Sequence, residues 1–212
     1  MAARAAFVVA IAGGSASGKT CFARDLAEAL SPLDAAIVEE DAYYHPARVR
    51  GPGDVTTYNF DRPETKDFDL LTAHLLAGRA GEVFHRPHYD FATHERTDQV
   101  TAIAPCDVLI VEGLHNLTIA QIRSLVDLTV FVEAGYALRR ERRVARDVAE
   151  RGRLKADTER QFDAVVEPMH RLHVEPQRHA AARVVVNEGE RETLRAAAAA
   201  AAAEIKRALA AC

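Results

Sequence analysis

Eight consecutive residues, Gly13-Gly14-Ser15-Ala16-Ser17-Gly18-Lys19-Thr20, satisfy the spacing G-x-x-x-x-G-K-[ST] at every specified position. That spacing has a chemical purpose. Glycines let the backbone bend so that successive N–H groups point into one concave, anion-binding nest. A helix starting there adds its unpaired N–H groups and the positive end of its dipole. Lys19 brings a full charge to the β- and γ-phosphates of a nucleotide, and the Thr20 hydroxyl can ligate the magnesium ion that bridges them. A second acid-bearing stretch is Val108-Leu109-Ile110-Val111-Glu112-Gly113, an apolar run from which the Glu112 carboxylate emerges at the far end. An acid in that position of a phosphate-loop protein serves the magnesium's coordination shell.

Three further groups have the side chains of a reacting site. Glu39-Glu40-Asp41 closes a short apolar run and leads into Ala42-Tyr43-Tyr44. Pro87-His88-Tyr89-Asp90-Phe91-Ala92-Thr93-His94-Glu95-Arg96 packs aromatic, imidazole and acid groups together. Arg139, Arg140, Arg142, Arg143, Arg146 and Arg151 crowd one predicted helix, with Arg139, Arg143 and Arg146 on one face. Glu141, Asp147 and Glu150 dilute that charge, so a salt-bridged, solvated helix is the default reading. The alternative is a lid that carries arginines onto transferring phosphates. The pairs His85/His88 and His170/His173 have i, i+3 spacing but no cysteine beside them to complete a zinc site, and read as surface or packing histidines.

The elements that must position these groups follow from periodicity. Phe7 to Ala12 is a fully buried strand before the glycine loop, and Cys21 to Leu30 a helix after it. Ala35 to Val38 is a second strand, whose carboxyl end is where open parallel sheets bind ligands. His45 to Asn59, with Arg48, Arg50 and Gly51-Pro52-Gly53, reads as a mobile loop or lid. Phe68, Leu71, Leu75 and Leu76 make the stripe of a helix ending at Gly78. Glu82 to Phe91 and Thr97 to Ile103 pair as an antiparallel hairpin attached to the main sheet. Strands at Val108 to Glu112, Asp127 to Val132 and Arg183 to Asn187 alternate with helices at Tyr136 to Glu150 and Asp157 to Arg171, the latter with Phe162, Val165, Val166 and Met169 inward. Arg191 to Cys212, including eight consecutive alanines, is a helix in which nothing suggests chemistry. The alternation predicts one three-layer α/β/α domain around a mostly parallel sheet.

Composition narrows the function classes. The net charge of −4 gives no general reason to expect nucleic acid or an anionic membrane as partner. Cys21, Cys106 and Cys212 are widely spaced, as in a reducing compartment. The N-terminal apolar run is too short to span a bilayer and leads into the phosphate loop, so a cytoplasmic protein is expected.

Several of these stretches, in order, make the chain resemble the uridine kinase (uridine–cytidine kinase) family of P-loop kinases, in the phosphoribulokinase/uridine kinase superfamily. They are Gly13 to Thr20, Asp41 to Tyr44, Tyr58-Asn59-Phe60-Asp61-Arg62-Pro63, Tyr89 to His94, Val111 to Gly113 and Arg143 to Arg153. The Y-D-F-x-x-H and R-D-x-x-E-R-G-R segments are the specific ones. The resemblance implies a P-loop NTPase fold over residues 1–212, with a hairpin insertion at about 82–104, an arginine-rich lid at about 139–160 and the alanine-rich helix at about 191–212. It implies transfer of the γ-phosphoryl group of ATP, or GTP, with Mg2+, to the 5′-hydroxyl of uridine or cytidine. Asp41 would accept the proton. Lys19, Arg146 and Arg151 would assist transfer. Gly13, Gly14, Ser15, Ala16, Ser17, Gly18, Lys19, Thr20 and Arg143 would bind the donor. Tyr44, Asp61, Tyr89, Phe91, His94, Arg146 and Gln161 would bind the acceptor, and Thr20 and Glu112 would serve the metal. The family often forms homotetramers, so a homo-oligomer is also implied. The chain departs from the family pattern at Lys66, where an aromatic residue is usual, at Arg62, at His115-Asn116 and between His45 and Tyr58. A kinase of another small alcohol, phosphoribulokinase- or pantothenate kinase-like, and a nucleotide-binding regulatory module are the alternatives.

Overall fold

Five parallel strands form the spine of the molecule. The computed structural model describes residues 5–47 and 58–211. Most of the loop expected between His45 and Asn59, with Arg48, Arg50 and Gly51 to Gly53, lies outside these residues, as does Cys212. In chain order the strands are β1 (Phe7–Gly13), β2 (Ala35–Glu39), β3 (Phe84–Asp90), β4 (Glu95–Ile103), β5 (Val108–Gly113), β6 (Leu128–Glu133) and β7 (Arg183–Val186). The helices are α1 (Lys19–Ala29), α2 (Phe68–Arg79), α3 (Ala120–Arg123), α4 (Tyr136–Arg151), α5 (Lys155–Gln161) and α6 (Arg191–Ala210). The main sheet has the order β2-β5-β1-β6-β7, and every pairing in it is parallel.

Both faces of this sheet are covered, which is why β1 and β5 read as unbroken apolar runs instead of alternating ones. Val8, Ala10 and Ala12 of β1 face a core with Leu71 and Leu75 of α2, Leu117 and Ile122. Val9 and Ile11 face the other core, with Phe22 and Leu26 of α1 and Ala198, Ala201, Ala202 and Ile205 of α6. The three-layer arrangement expected from the alternation of elements is therefore the one observed. The alanine run of α6 is half used. Ala198, Ala201 and Ala202 are buried against α1's side of the sheet, while Ala196, Ala199, Ala200 and Ala203 face outward.

Three local expectations need correction. The hairpin is not attached to the main sheet by a ladder: β3 and β4 form their own two-stranded sheet. Side chains dock it instead. Arg96 donates to the Tyr44 and Tyr43 carbonyls at 3.2 and 3.1 Å and to Asp67 Oδ2 at 3.2 Å, and Arg86 donates to Glu39 Oε2 at 2.5 Å. Pro87, which has no N–H, sits beside a register shift in β3. Helix α2 runs past Gly78 to Arg79. Gly78 is buried, where an added Cβ would press on Leu109 and Phe84, and the left-handed glycine after the helix is Gly81 (φ 74°). Leu76 is half-exposed, off the buried stripe. Last, the helix expected from Asp157 begins at Lys155, and helical turns continue through Ala180, with wide turns at Phe162–Val166 and His170–Val174.

Among the described residues no helix is long and apolar enough to cross a membrane.

Candidate active site

The carboxyl ends of β1, β2 and β5 meet at one edge of the sheet, where the sequence-predicted groups converge. The loop after β1 turns back on itself through a bond from the Ser17 N–H to the Gly14 carbonyl at 3.0 Å. Gly18 then starts α1 in the left-handed region (φ 97°), and a Cβ on it would collide with the Asn187 amide. Asn187 donates from Nδ2 to the Ser17 carbonyl at 2.7 Å, so the end of β7 clamps the loop from outside. Sequence reading placed Asn187 at a strand end and gave it no part in the site; its polar side chain at the carboxyl edge of the sheet was the available signal.

Thr20 Oγ1 donates to Glu112 Oε1 at 2.8 Å. Burial pushes the Glu112 carboxyl up, against the pull of Lys19. Its other oxygen, Oε2, is buried and has no hydrogen-bond partner among the described residues. An orphaned carboxylate oxygen beside a threonine hydroxyl is a donor set that fits a hard divalent cation. Magnesium is commonly held by one or two such protein oxygens plus substrate phosphates. No group of three or more His, Cys, Asp or Glu side chains among the described residues could hold a metal.

Asp41 lies on the tight turn Glu40–Tyr43 directly after β2, its side chain 45% open to the cleft. Burial would raise its carboxyl, but Lys66, then Lys19, outweigh this and hold it well below the usual carboxylate range. Lys66 Nζ donates to Asp41 Oδ1 at 2.7 Å and to Glu40 Oε1 at 2.6 Å. Glu40 in turn packs on Gly113, where a Cβ would overlap its carboxylate, and its Oε2 accepts from the His115 N–H at 2.8 Å. With its amide turned to satisfy both of its ends, Asn116 donates to the same oxygen at 3.0 Å and accepts from the Gly113 N–H at 2.8 Å.

The aromatic residues form a continuous wall. Tyr44 meets Phe60 and Tyr89 at ring separations of 5.5 and 5.0 Å, Phe60 stacks on His94 at 4.9 Å, and Tyr89 meets Phe91 at 5.3 Å. Tyr44 Oη donates to the Phe60 carbonyl at 3.2 Å. Behind this wall Ser15, Lys19, Asp41, Asp61, Arg143 and Gln161 share a chamber with it. The chamber is only about 70 Å³. A wider cleft of about 660 Å³, reaching Thr20, Arg142 and Asn187, adjoins it and shares Lys19, Asp41, Tyr89, Phe91, Arg146 and Arg151 as walls.

Helix α4 supplies the arginines, and Asp147 organises them. This buried carboxylate accepts from Arg143 Nε at 2.8 Å and Arg146 Nε at 3.0 Å, with Arg151 and Arg153 guanidinium nitrogens 3.6 and 3.7 Å away. Burial would raise the Asp147 carboxyl; the surrounding arginines hold it below its ordinary range. Arg143 Nη1 also donates to Ser15 Oγ at 2.6 Å, joining the helix to the phosphate loop, and Arg151 lies 4.8 Å over the Phe91 ring. The face pairing expected from the sequence separates here. Arg143 and Arg146 point to the site, while Arg139 is buried against Glu167 Oε2 at 2.7 Å and the Ala134 carbonyl at 3.0 Å. Gln161 accepts from Arg153 Nη1 at 2.8 Å.

Comparison with known proteins gives a consistent result. The family described as "Phosphoribulokinase / Uridine kinase family" matches residues 8–194. A uridine kinase of Brevibacillus brevis is 36% identical over 182 residues, covering 86% of this chain and 85% of the relative. A uridine kinase of Halalkalibacterium halodurans is 34% identical over 182 residues, covering 86% of each chain. Among solved structures, the phosphoribulokinase of Rhodobacter spheroides superposes with a TM-score of 0.60 at 19% identity, covering 88% of this chain and 73% of the other, which is a likeness of fold.

Proposed function

The chain belongs to the phosphoribulokinase/uridine kinase family, and from that premise we propose that it transfers the γ-phosphoryl group of ATP to the 5′-hydroxyl of uridine or cytidine, a step of pyrimidine salvage. The observation that carries this reading is the single chamber in which Asp41 and Lys19 meet Tyr44, Tyr89, Phe91, His94 and Asp61. A phosphate loop alone serves many acceptors. An aromatic wall with an acid and an imidazole suits a flat base joined to a polyhydroxylated ring.

In this reading the nest of Gly13, Gly14, Ser15, Ala16, Ser17, Gly18, Lys19 and Thr20 holds the donor phosphates. Tyr44, Tyr89, Phe91 and His94 hold the base, and Asp61 and Gln161 the ribose. Asp41 orients the acceptor hydroxyl and takes its proton as the new P–O bond forms. Lys19, Arg143, Arg146 and Arg151 neutralise charge on the moving phosphoryl group, and positioning with such neutralisation accounts for most of the catalysis in this chemistry. Thr20 Oγ1 and Glu112 would hold Mg2+, which when bound neutralises charge on the donor phosphates. Closure of α4 over the site would exclude water that otherwise hydrolyses the donor. The main sheet, the hairpin and α4 all deliver groups to one chamber, which supports a single kinase domain over residues 1–212. We take the protein to act in the cytoplasm as a homo-oligomer, as the family resemblance implies.

The test is a transfer panel. Purified protein, Mg2+ and ATP are offered uridine, cytidine, other nucleosides, ribulose 5-phosphate and pantothenate, with ADP release followed. Release dependent on uridine or cytidine is expected. Release only with a non-nucleoside acceptor overturns the acceptor assignment, and tight ATP binding without release for any of them favours a regulatory module. Asp41→Asn is expected to abolish transfer while ATP binding, followed by calorimetry, stays close to wild type.

A further inference from the structure

Beside Asp41 lies a lysine that no step above uses. The side chains of Lys66 and Glu40 have no solvent exposure, and Lys66 Nζ sits between Glu40 Oε1 and Asp41 Oδ1 at 2.6 and 2.7 Å. The same ammonium lies 4.5 Å from the centre of the Tyr44 ring. Neither end of this lysine is free to drift. Its backbone is bridged to Tyr44, and the flanking bonds from His45 N–H to the Thr65 carbonyl (2.9 Å) and from Asp67 N–H to the Tyr43 carbonyl (2.8 Å) fix the segment against the turn that carries Asp41. Glu40, at the other side of the ammonium, is tied down by the His115 N–H.

Stability alone is a poor reason for this arrangement. Taking an ammonium and a carboxylate out of water is costly, and an apolar side chain of similar volume fills such a space at least as well. What a charged group does there that an apolar one cannot is to grip one oxygen of a carboxylate. Among the described residues Lys66 is the only hydrogen-bond donor to the Asp41 carboxylate, and it reaches Oδ1 only. We infer that Lys66, anchored by Glu40, is a positioning residue for the transfer reaction: it holds Asp41 by one oxygen so that the other is presented to the acceptor hydroxyl. The inference rests on the reading of Asp41 as the proton acceptor. Lys66 itself is buried and lines neither the chamber nor the cleft.

The experiment separates this role from simple charge balance. Lys66→Met leaves Glu40 buried and unpaired, and such a variant can fail to fold for that reason alone. The informative protein is the double variant Glu40→Gln/Lys66→Met, in which both members of the wholly buried pair become neutral, the Asp41 carboxylate keeps its opening to the cleft, and the residue 40 side chain can still accept from the His115 N–H. It is expected to melt close to wild type, to bind ATP as wild type does and to keep its KM for the acceptor, while kcat falls about 100-fold, the cost of a reacting group displaced by about an ångström. Lys66→Arg, which keeps a cation in place, is expected to recover part of that loss. A folded double variant with wild-type kcat overturns the inference and leaves Lys66 as a counter-charge for Glu40. Asp41→Asn is assayed alongside with the same acceptor. If it turns over normally, Asp41 is not the proton acceptor and both readings fall. If it is inactive while the double variant is active, only the role of Lys66 falls.

Discussion

His115 is wholly buried between the acceptor side and the core, and burial above all depresses its imidazole to about 4. Nε2 donates to the Asp61 carbonyl at 3.1 Å, while Nδ1 is buried with no hydrogen-bond partner among the described residues to receive a second proton's bond, so the neutral Nε2–H tautomer is the one the fold uses. In an unfolded chain the ring binds a proton near pH 6.5. Between that pH and about 4 the unfolded state therefore holds more protons, and stability falls as pH falls. Each pH unit of displacement is worth about 1.4 kcal/mol, so the full effect is about 3 kcal/mol. Urea unfolding at pH 7.5, 6 and 5 is expected to show this decline, and His115→Gln a shallower one. Some slope remains in that variant, because burial and Arg139 depress His170 to about 4 as well. His94 makes a different prediction. It stacks on Phe60 at 4.9 Å with the rings 20° apart. In the proposed acceptor site a base packed on this imidazole would gain the about 1 kcal/mol typical of aromatic pairs, so His94→Ala should raise the KM for the nucleoside about fivefold and leave that for ATP nearly unchanged. An equal rise in both removes His94 from the acceptor side.

Helix α4 works as a unit because one carboxylate gathers its cations. Without the charge on Asp147, Arg143, Arg146, Arg151 and Arg153 repel one another and lose strong, charge-assisted bonds. Asp147→Asn is expected to cost about 2 kcal/mol in unfolding free energy and to weaken ATP binding, read by thermal melts and calorimetry. A variant that melts lower but binds ATP normally would make Asp147 structural only. The sequence revealed this helix and its arginines, yet Asp147 read as mere dilution of charge. Periodicity reports neighbours along one helix; it does not report that the helix leans on Ser15, 128 residues earlier in the chain. The same limit hid the partners of Lys66, which stood out in the sequence only as a departure from the family pattern and is held by the turn after β2, and hid Asn187, which reaches back to Ser17. By contrast the glycine loop, β1 and the strand ending in Glu112 were legible, because each is specified by contiguous residues. The detached hairpin was misplaced because alternation shows that two strands pair with each other and is silent on what else they pair with.

At the scale of the whole molecule the charge is −4, a weak reason to attract a polyphosphate. The wide cleft reverses that locally, with Lys19, Arg24, Arg86, Arg142, Arg146, Arg151 and Arg191 along its walls against Glu39, Asp41, Glu112 and Glu150. Clefts lined by one dominant sign focus field lines and speed the encounter with opposite charge, an effect that salt removes. Stopped-flow association of ATP is therefore expected to slow as NaCl rises, with dissociation changing less; a rate insensitive to salt would show that the net charge governs approach. The chamber and the cleft, which share Lys19 and Asp41, are not independent vessels. Arg143 borders the small chamber and also bonds Ser15 of the phosphate loop. A donor phosphate that draws this guanidinium away alters the space left for the acceptor. Thermodynamic linkage makes the influence mutual: whatever factor the nucleotide imposes on the affinity for the second substrate, that substrate imposes on the nucleotide.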